Sequence, residues 1–495
     1  MQNQLMHFQA RAGRALADVR LQGVLKRFGS GFADKRDAAR AAYGVDAFEE
    51  LRTASAAIRD RGLEHLDSWL LRFEAEATRR GTEVRWAESA EDIRAQVLEI
   101  CAQHGLKKAI KSKSMVSEEA GLNAALEANG ITAVETDLGE YIIQLAKEAP
   151  SHIIAPAIHK DLDEVADLFA THHQRPRSTD IEKLTREARL MLREHFLTAD
   201  LGLSGGNFLV AETGSVALVT NEGNGRMVTT LPRVHIAITG IEKVIPTLED
   251  LSTLNRVLPR SATGQDIENY FTIVTGPRRA DDADGPVHMI VILVDCGRTK
   301  LVGSDMKEML RCIRCGACMN HCPVYQTVGG HAYGWVYPGP MGSVLTPVYN
   351  GIENALDLPQ AATLCGACHV ACPVKIPLPE LLRTLREKQI EQRLRPWTER
   401  LGFAVWGFVA RRPRLYALAA SLGVRVLSWM GGSRGRISRL PLGRGWTRGR
   451  DLPAPEGRTF RSLYAARKFA VVYGERRRRA REARAARVQR GDPRA

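Results

Sequence analysis

Seven cysteines in two short stretches carry the most legible chemistry of this 495-residue chain. The first stretch, CIRCGACMNHCPVY from Cys312, spaces Cys312, Cys315, Cys318 and Cys322 as C-x2-C-x2-C-x3-C-P. Two-residue spacers let a short loop wrap an iron–sulfur cubane, with three thiolates on three irons and the fourth cysteine crossing to a second cluster. The second stretch, LCGACHVACPVKIP from Leu364, repeats the pattern fifty residues on. Cys365, Cys368 and Cys372 fall on Cys315, Cys318 and Cys322, and Ala362 stands where Cys312 would. Crossing in both directions assigns Cys312, Cys315, Cys318 and Cys372 to one [4Fe-4S] cluster. Cys322, Cys365 and Cys368 are left for the other. Three thiolates admit a [3Fe-4S] centre, or a [4Fe-4S] cluster whose last iron takes a non-cysteine or external ligand, for which His321, His369 and Cys296 are candidates.

Structural zinc also uses C-x2-C pairs, but it wants two separate pairs rather than a run of four cysteines ending in proline. Disulfides between cysteines three apart would be strained, and tight clustering fits a reducing compartment. Cys101 and Cys296 read as buried, inert thiols. Gly316 and Gly366 sit between ligands, where the backbone approaches a cluster and positive φ is favoured. Tyr333, Trp335 and Tyr337 either screen the clusters from water or simply pack. No G-x-G-x-x-G after a strand, G-x-S-x-G elbow, H-E-x-x-H helix or P-loop occurs. The chain thus offers a two-cluster wire and no evident hydride acceptor.

The elements that must position these motifs follow from periodicity. Residues 1–85 repeat apolar positions at spacings of three and four, which predicts amphipathic helices. Residues 86–300 alternate β-rich runs (ITAVETD, HIIAP, VHIAIT, FTIVTG, VHMIVILVD) with helical stretches such as DIEKLTREARLMLREHF, an α/β pattern with a largely parallel sheet. Within it, NFLVAETGSVALVTNEGNG reads as a hairpin. Residues 301–390 hold the cysteines, joined by GGHAYGWVYPGPMGSVLTPVY, which reads as an irregular loop. Residues 391–470 return to helix, and 471–495 read as a basic tail without fixed structure.

The net charge is +14, of which +8 lies in the last 45 residues. Such a tail could draw nucleic acid or anionic lipid, but no zinc finger, helix-turn-helix or aromatic-basic interleaving accompanies it, so no specific nucleic acid is expected. The N-terminus lacks a secretory pattern, and no uncharged apolar run reaches the roughly 18 residues of a membrane span. A cytoplasmic address is the expectation, with peripheral contact at the inner membrane face through LGFAVWGFVARRPRLYALAASLGVRVLSWMGG as the alternative.

The order KSKSMVSEE, SGGNFLVAETGSVALVTNEGNGRMV, the two cysteine stretches and GGHAYGWVYPGPMGSVLTP closely resembles the lactate utilisation protein B family. The resemblance implies an α/β domain similar to sugar-phosphate isomerases and coenzyme A transferases (a NagB/RpiA-like fold), followed by an α-helical ferredoxin-like domain and a helical basic C-terminus. It also implies two [4Fe-4S] clusters on the cysteine sets assigned above. The implied role is electron transfer, non-catalytic or co-catalytic, in the oxidation of L-lactate to pyruvate, together with lactate utilisation proteins A and C and a respiratory acceptor. Lys111, Lys113, Glu212 and Thr213 lie in family-like stretches, where a pocket role and a purely structural role both stay open. Two alternatives remain: a stand-alone oxidoreductase whose α/β domain binds a carboxylate or phosphorylated substrate, and a nucleic-acid or membrane-surface binder acting through the tail.

Overall fold

The computed structural model describes residues 6–28, 31–267, 270–440, 443–447 and 449–489. The chain divides into two compact units, Met1–Leu394 and Arg395–Ala495.

The first unit begins with the helices Phe8–Ala17, Val19–Phe28, Gly31–Tyr43, Val45–Glu64 and Leu66–Arg79. Ten strands follow: β1 Glu83–Ala87, β2 Lys108–Lys111, β3 Thr132–Glu135, β4 Leu201–Ser204, β5 Phe208–Val210, β6 Ser215–Thr220, β7 Val234–Gly240, β8 Val244–Ile245, β9 Tyr270–Val274 and β10 His288–Val294. Six of them make a parallel sheet in the order β1-β10-β7-β4-β2-β3. Its middle strands β7 and β10 are buried almost throughout, as near-continuous apolar runs covered on both faces should be. The expected hairpin forms, with Phe208 opposite Ala217, but outside that sheet. With β8 and β9 it builds a second, four-stranded sheet in the order β8-β5-β6-β9.

Two readings of the sequence fail here. HIIAP forms no strand, because the buried His152 turns its ring back on the chain. Its Nδ1 accepts from the Ile154 and Ala155 amides, and its Nε2 pairs with Asn320 Oδ1 at 2.9 Å. The segment from Gly329 is not loop throughout, since Gly339–Asn350 is helical. Pro340 falls in the first turn, where a missing N–H costs nothing, so the Gly/Pro content misleads.

One core runs from Phe8, Phe48 and Leu51 through Phe208 and Ile245 to Leu310, Tyr333 and Leu381. Entry helices, second sheet and cysteine loops are therefore packed together. In the second unit, Trp397–Ala410 and Pro413–Gly431 pack against each other. They leave Trp397, Phe403, Trp406, Leu418 and Trp429 exposed. Helix Phe460–Gln489 carries the basic end, so the tail expected without fixed structure is helical as far as Gln489. Residues 490–495 lie outside the described residues. Among the described residues no helix is long and apolar enough to cross a membrane.

A buried ion network braces the carboxyl end of β7. Arg298, fully buried, donates Nε to Glu242 Oε2 at 2.7 Å and Nη2 to Glu119 Oε1 at 2.9 Å. Gly240 makes room for it, since a Cβ there would stand 2.1 Å from Glu242 Oε2. Burial alone would push the Glu242 carboxyl up, but Arg298, with Lys243, Arg314 and Arg59 around it, holds it down at about 2. Arg298→Met leaves two carboxylates short of their cation and should cost about 3–5 kcal/mol in urea unfolding; a loss under ~1 kcal/mol would contradict the network. Because the folded carboxyl titrates below its ordinary 4.5, this stabilisation is present above that pH and fades as pH falls towards 2. The variant's acid unfolding should be flatter over that range.

Candidate iron–sulfur site

The fifty-residue repeat is visible in the backbone. Arg314 and Leu364 hold φ of 60° and 56°, and Gly316 and Gly366 hold 74° and 85°. Left-handed turns at matching places start two short helices, Ala317–Asn320 and Ala367–Ala371, which pack on each other. Each ends just ahead of a crossing cysteine, Cys322 or Cys372, followed by proline. Two side-chain-bearing residues in the left-handed region imply strain that the surrounding fold must hold in place.

The thiols separate into two sets. Cys312, Cys315, Cys318 and Cys372 line one small cavity, whose other walls include Met309, Ile313 and Met341. Burial pushes Cys315 up to about 12, with Cys372 and Cys312 adding to it, and Cys372 up to about 11. Cys318 lies far higher than an ordinary thiol, through burial and through Cys312, Cys315, Cys368 and Cys372 around it. Cys322 and Cys368 are raised by burial, and each lies in electrostatic range of Cys365. Cys365 is exposed, and its thiol is lowered by a hydrogen bond from Thr363 and by the Ala367 amide. The first set therefore draws Cys372, and the second Cys322, from the opposite half of the repeat. Four sulfurs at one cavity, on three buried cysteines and the half-buried Cys318, repel as thiolates and need a cationic core between them, so the donor set fits an iron–sulfur cubane.

Buried cations surround the first set. Arg52 donates Nη2 and Nε to the Cys372 carbonyl at 2.7 and 3.0 Å, and Arg36 reaches the Ala371 carbonyl at 3.1 Å. Arg59 donates to the Leu310 carbonyl at 3.1 Å, and Lys243 to the Cys312 carbonyl at 2.8 Å. Burial, reinforced by Arg314, lowers the Lys243 ammonium to about 7. Sequence reasoning missed these residues. The available signal was that Arg52 and Arg59 share the helical stripe of Phe48 and Ala56, where a solvent-facing charge would not fall.

Other expected residues divide. Tyr333 is buried against Cys322, whereas Tyr337 donates to Glu119 and stacks under the Arg314 guanidinium. His321 Nδ1 pairs with the Ala317 carbonyl at 2.9 Å and His369 Nδ1 with the Ile376 carbonyl at 3.0 Å. Cys296 is raised to about 11 by burial, and Arg298 and Glu119 are the foremost charges acting on it. Lys111 is structural, its ammonium fixed by Glu135, Asn123 and Glu118 at 2.6, 2.6 and 3.2 Å. Glu212 accepts from the Leu248 amide, and Thr213 bonds to Ser215. Lys113 lines a cavity that Lys111, Glu212 and Thr213 do not line.

Known proteins fit this arrangement. Residues 70–294 match the LUD domain, 308–376 the 4Fe-4S dicluster domain, and 384–469 the C-terminal region of lactate utilisation protein B. "Lactate utilization protein B" of Shouchella clausii is 44% identical over 85% of this chain and 89% of its own length. The chain belongs to the lactate utilization protein B family. Another relative of that name, from Lysinibacillus sphaericus, is 40% identical over 92% of this chain and 96% of its own. The "Uncharacterized electron transport protein YkgF" of Escherichia coli is 41% identical over 84% and 88%. A solved DUF162 family protein from Deinococcus radiodurans covers 46% of this chain and 98% of its own at 15% identity, and its TM-score of 0.27 is too low to support an argument about fold. An iron–sulfur domain of the 4Fe-4S type and a link to lactate utilisation thus stand for this family member.

The thiol environments predict an order of reactivity. In protein stripped of iron without denaturant, alkylation at pH 8 mapped by mass spectrometry should label Cys365 first, at least ~100-fold faster than Cys315, because the thiolate is the reactive form. Even labelling of all the cysteines would contradict the burial described.

Proposed function

We propose that this chain is the electron-transfer component of a system that oxidises L-lactate to pyruvate. In this reading Cys312, Cys315, Cys318 and Cys372 hold one [4Fe-4S] cluster. Cys322, Cys365 and Cys368 hold a second, which is [4Fe-4S] with a non-cysteine fourth ligand, or [3Fe-4S]. What supports the reading is that Cys312, Cys315, Cys318 and Cys372 line one cavity, while Cys365 acts on both Cys322 and Cys368. The bound clusters supply one-electron transfer.

The protein's own residues grade the two sites. The first set has the buried guanidinium groups of Arg36, Arg52 and Arg59 around its loops, charges that favour added negative charge. The second includes the exposed Cys365, a natural exit toward a partner. Lactate utilisation proteins A and C are the proposed companions, with a respiratory acceptor downstream and a cytoplasmic site of action. The apolar residues left exposed on Trp397–Ala410 and Pro413–Gly431 support a docking surface, since monomeric proteins rarely expose so many together.

Deleting the gene should abolish growth on L-lactate while leaving growth on glucose intact, with restoration by the plasmid-borne gene. Undiminished growth of the deletion strain on L-lactate would overturn the reading.

A further inference from the structure

A cavity of about 290 Å³ opens at the carboxyl ends of β2, β4 and β7. The strand order reverses there: the chain leaves β2 outward to β3 and returns to β4 on the other side. Open parallel sheets bind ligands at that kind of crevice. The cavity's lining includes Lys113, Gly205 and Gly206, Arg314 and Cys315 of the first cysteine loop, and the acidic Asp137 and Glu222.

The charges of these walls are selective. Lys113 Nζ is buried and makes no hydrogen bond; its ion pair with Glu140 spans 3.4 Å. Burial raises the Glu140 carboxyl to about 7, which loosens that pair near neutrality. Lys243 is spent on the Cys312 carbonyl, Arg314 lies 3.6 Å from Glu242 and over the Tyr337 ring, and Glu242 is held from behind by Arg298. Glu222, raised to about 7 by burial and then by Asp137 against the opposing pull of the Leu138 amide and Lys113, can present a proton beside a neighbouring carboxylate. A ligand with one negative charge for Lys113 and one hydroxyl or carbonyl group for the acidic side complements this lining. A phosphate dianion would meet Asp137 and Glu222 with too few cations to match.

We propose that this cavity binds a small organic carboxylate carrying a hydroxyl or oxo group, anchored by Lys113 and seated against the Cys315 loop. That the acid is a 2-hydroxy or 2-oxo acid rests on the function proposed above.

The test uses full-length, anaerobically purified, cluster-loaded protein, titrated calorimetrically with L-lactate, pyruvate and inorganic phosphate. At least one carboxylate should bind, phosphate should bind more weakly, and the bound carboxylate should perturb the EPR spectrum of the reduced protein. Lys113→Gln should weaken binding at least tenfold and remove the spectral change, and Lys113→Arg should restore both with iron content unchanged. Failure of both carboxylates to bind, tighter binding of phosphate, or equal affinity in Lys113→Gln would overturn the site. Those results leave the growth phenotype untouched, whereas growth of the deletion strain on lactate would refute the wider function and leave carboxylate binding standing.

Discussion

Everything around the cysteine loops answers one electrostatic problem: sulfur atoms brought together out of water. Cys315, Cys318 and Cys372 are each raised by burial and by other cysteines, so as free thiols they stay protonated and as thiolates they repel. A cationic core between them removes the conflict, and arginines behind the backbone reduce the charge that remains. Arg52 and Arg36 do this through the carbonyls of Cys372 and Ala371, orienting the loop while supplying positive charge. The arrangement explains why helices far upstream in sequence belong to the same core as the cysteines.

The parallel sheet meets that core beyond the end of β7. Lys243, just beyond β7, bonds to the Cys312 carbonyl, and Glu242 beside it ties to Arg298 and lies 3.6 Å from Arg314. The same short segment thus fixes a cysteine loop and closes the crevice at the strand ends. A group bound in the crevice and one bound by the first cysteine set would share a wall, which gives the α/β domain a reason to be fused to the iron–sulfur region.

How much was legible depended on whether a pattern was local. The fifty-residue repeat follows from spacing and is visible in the backbone, and the left-handed φ at Gly316 and Gly366 follows from the need for a tight turn. The helices of residues 31–79 and strands β3, β7 and β10 were readable because periodicity survives in single segments. The second sheet was not, since pairing of β5 with the distant β8 leaves no mark within either strand. Helix Gly339–Asn350 was hidden by prolines whose cost depends on their place in the turn. Lys111 and Lys113 could not be told apart either. They sit two residues apart, and only the fold decides that one is locked between carboxylates while the other faces a cavity.

Reciprocal crossing is the claim on which the account rests, and single substitutions at the crossing residues probe it directly. EPR of the reduced, air-protected Cys372→Ser protein should lose the signal of the cluster built mainly on Cys312, Cys315 and Cys318 while keeping the other. Cys322→Ser should instead disturb the cluster built on Cys365 and Cys368. If each substitution abolishes the signal assigned to its own half of the repeat and spares the opposite one, the crossing is wrong.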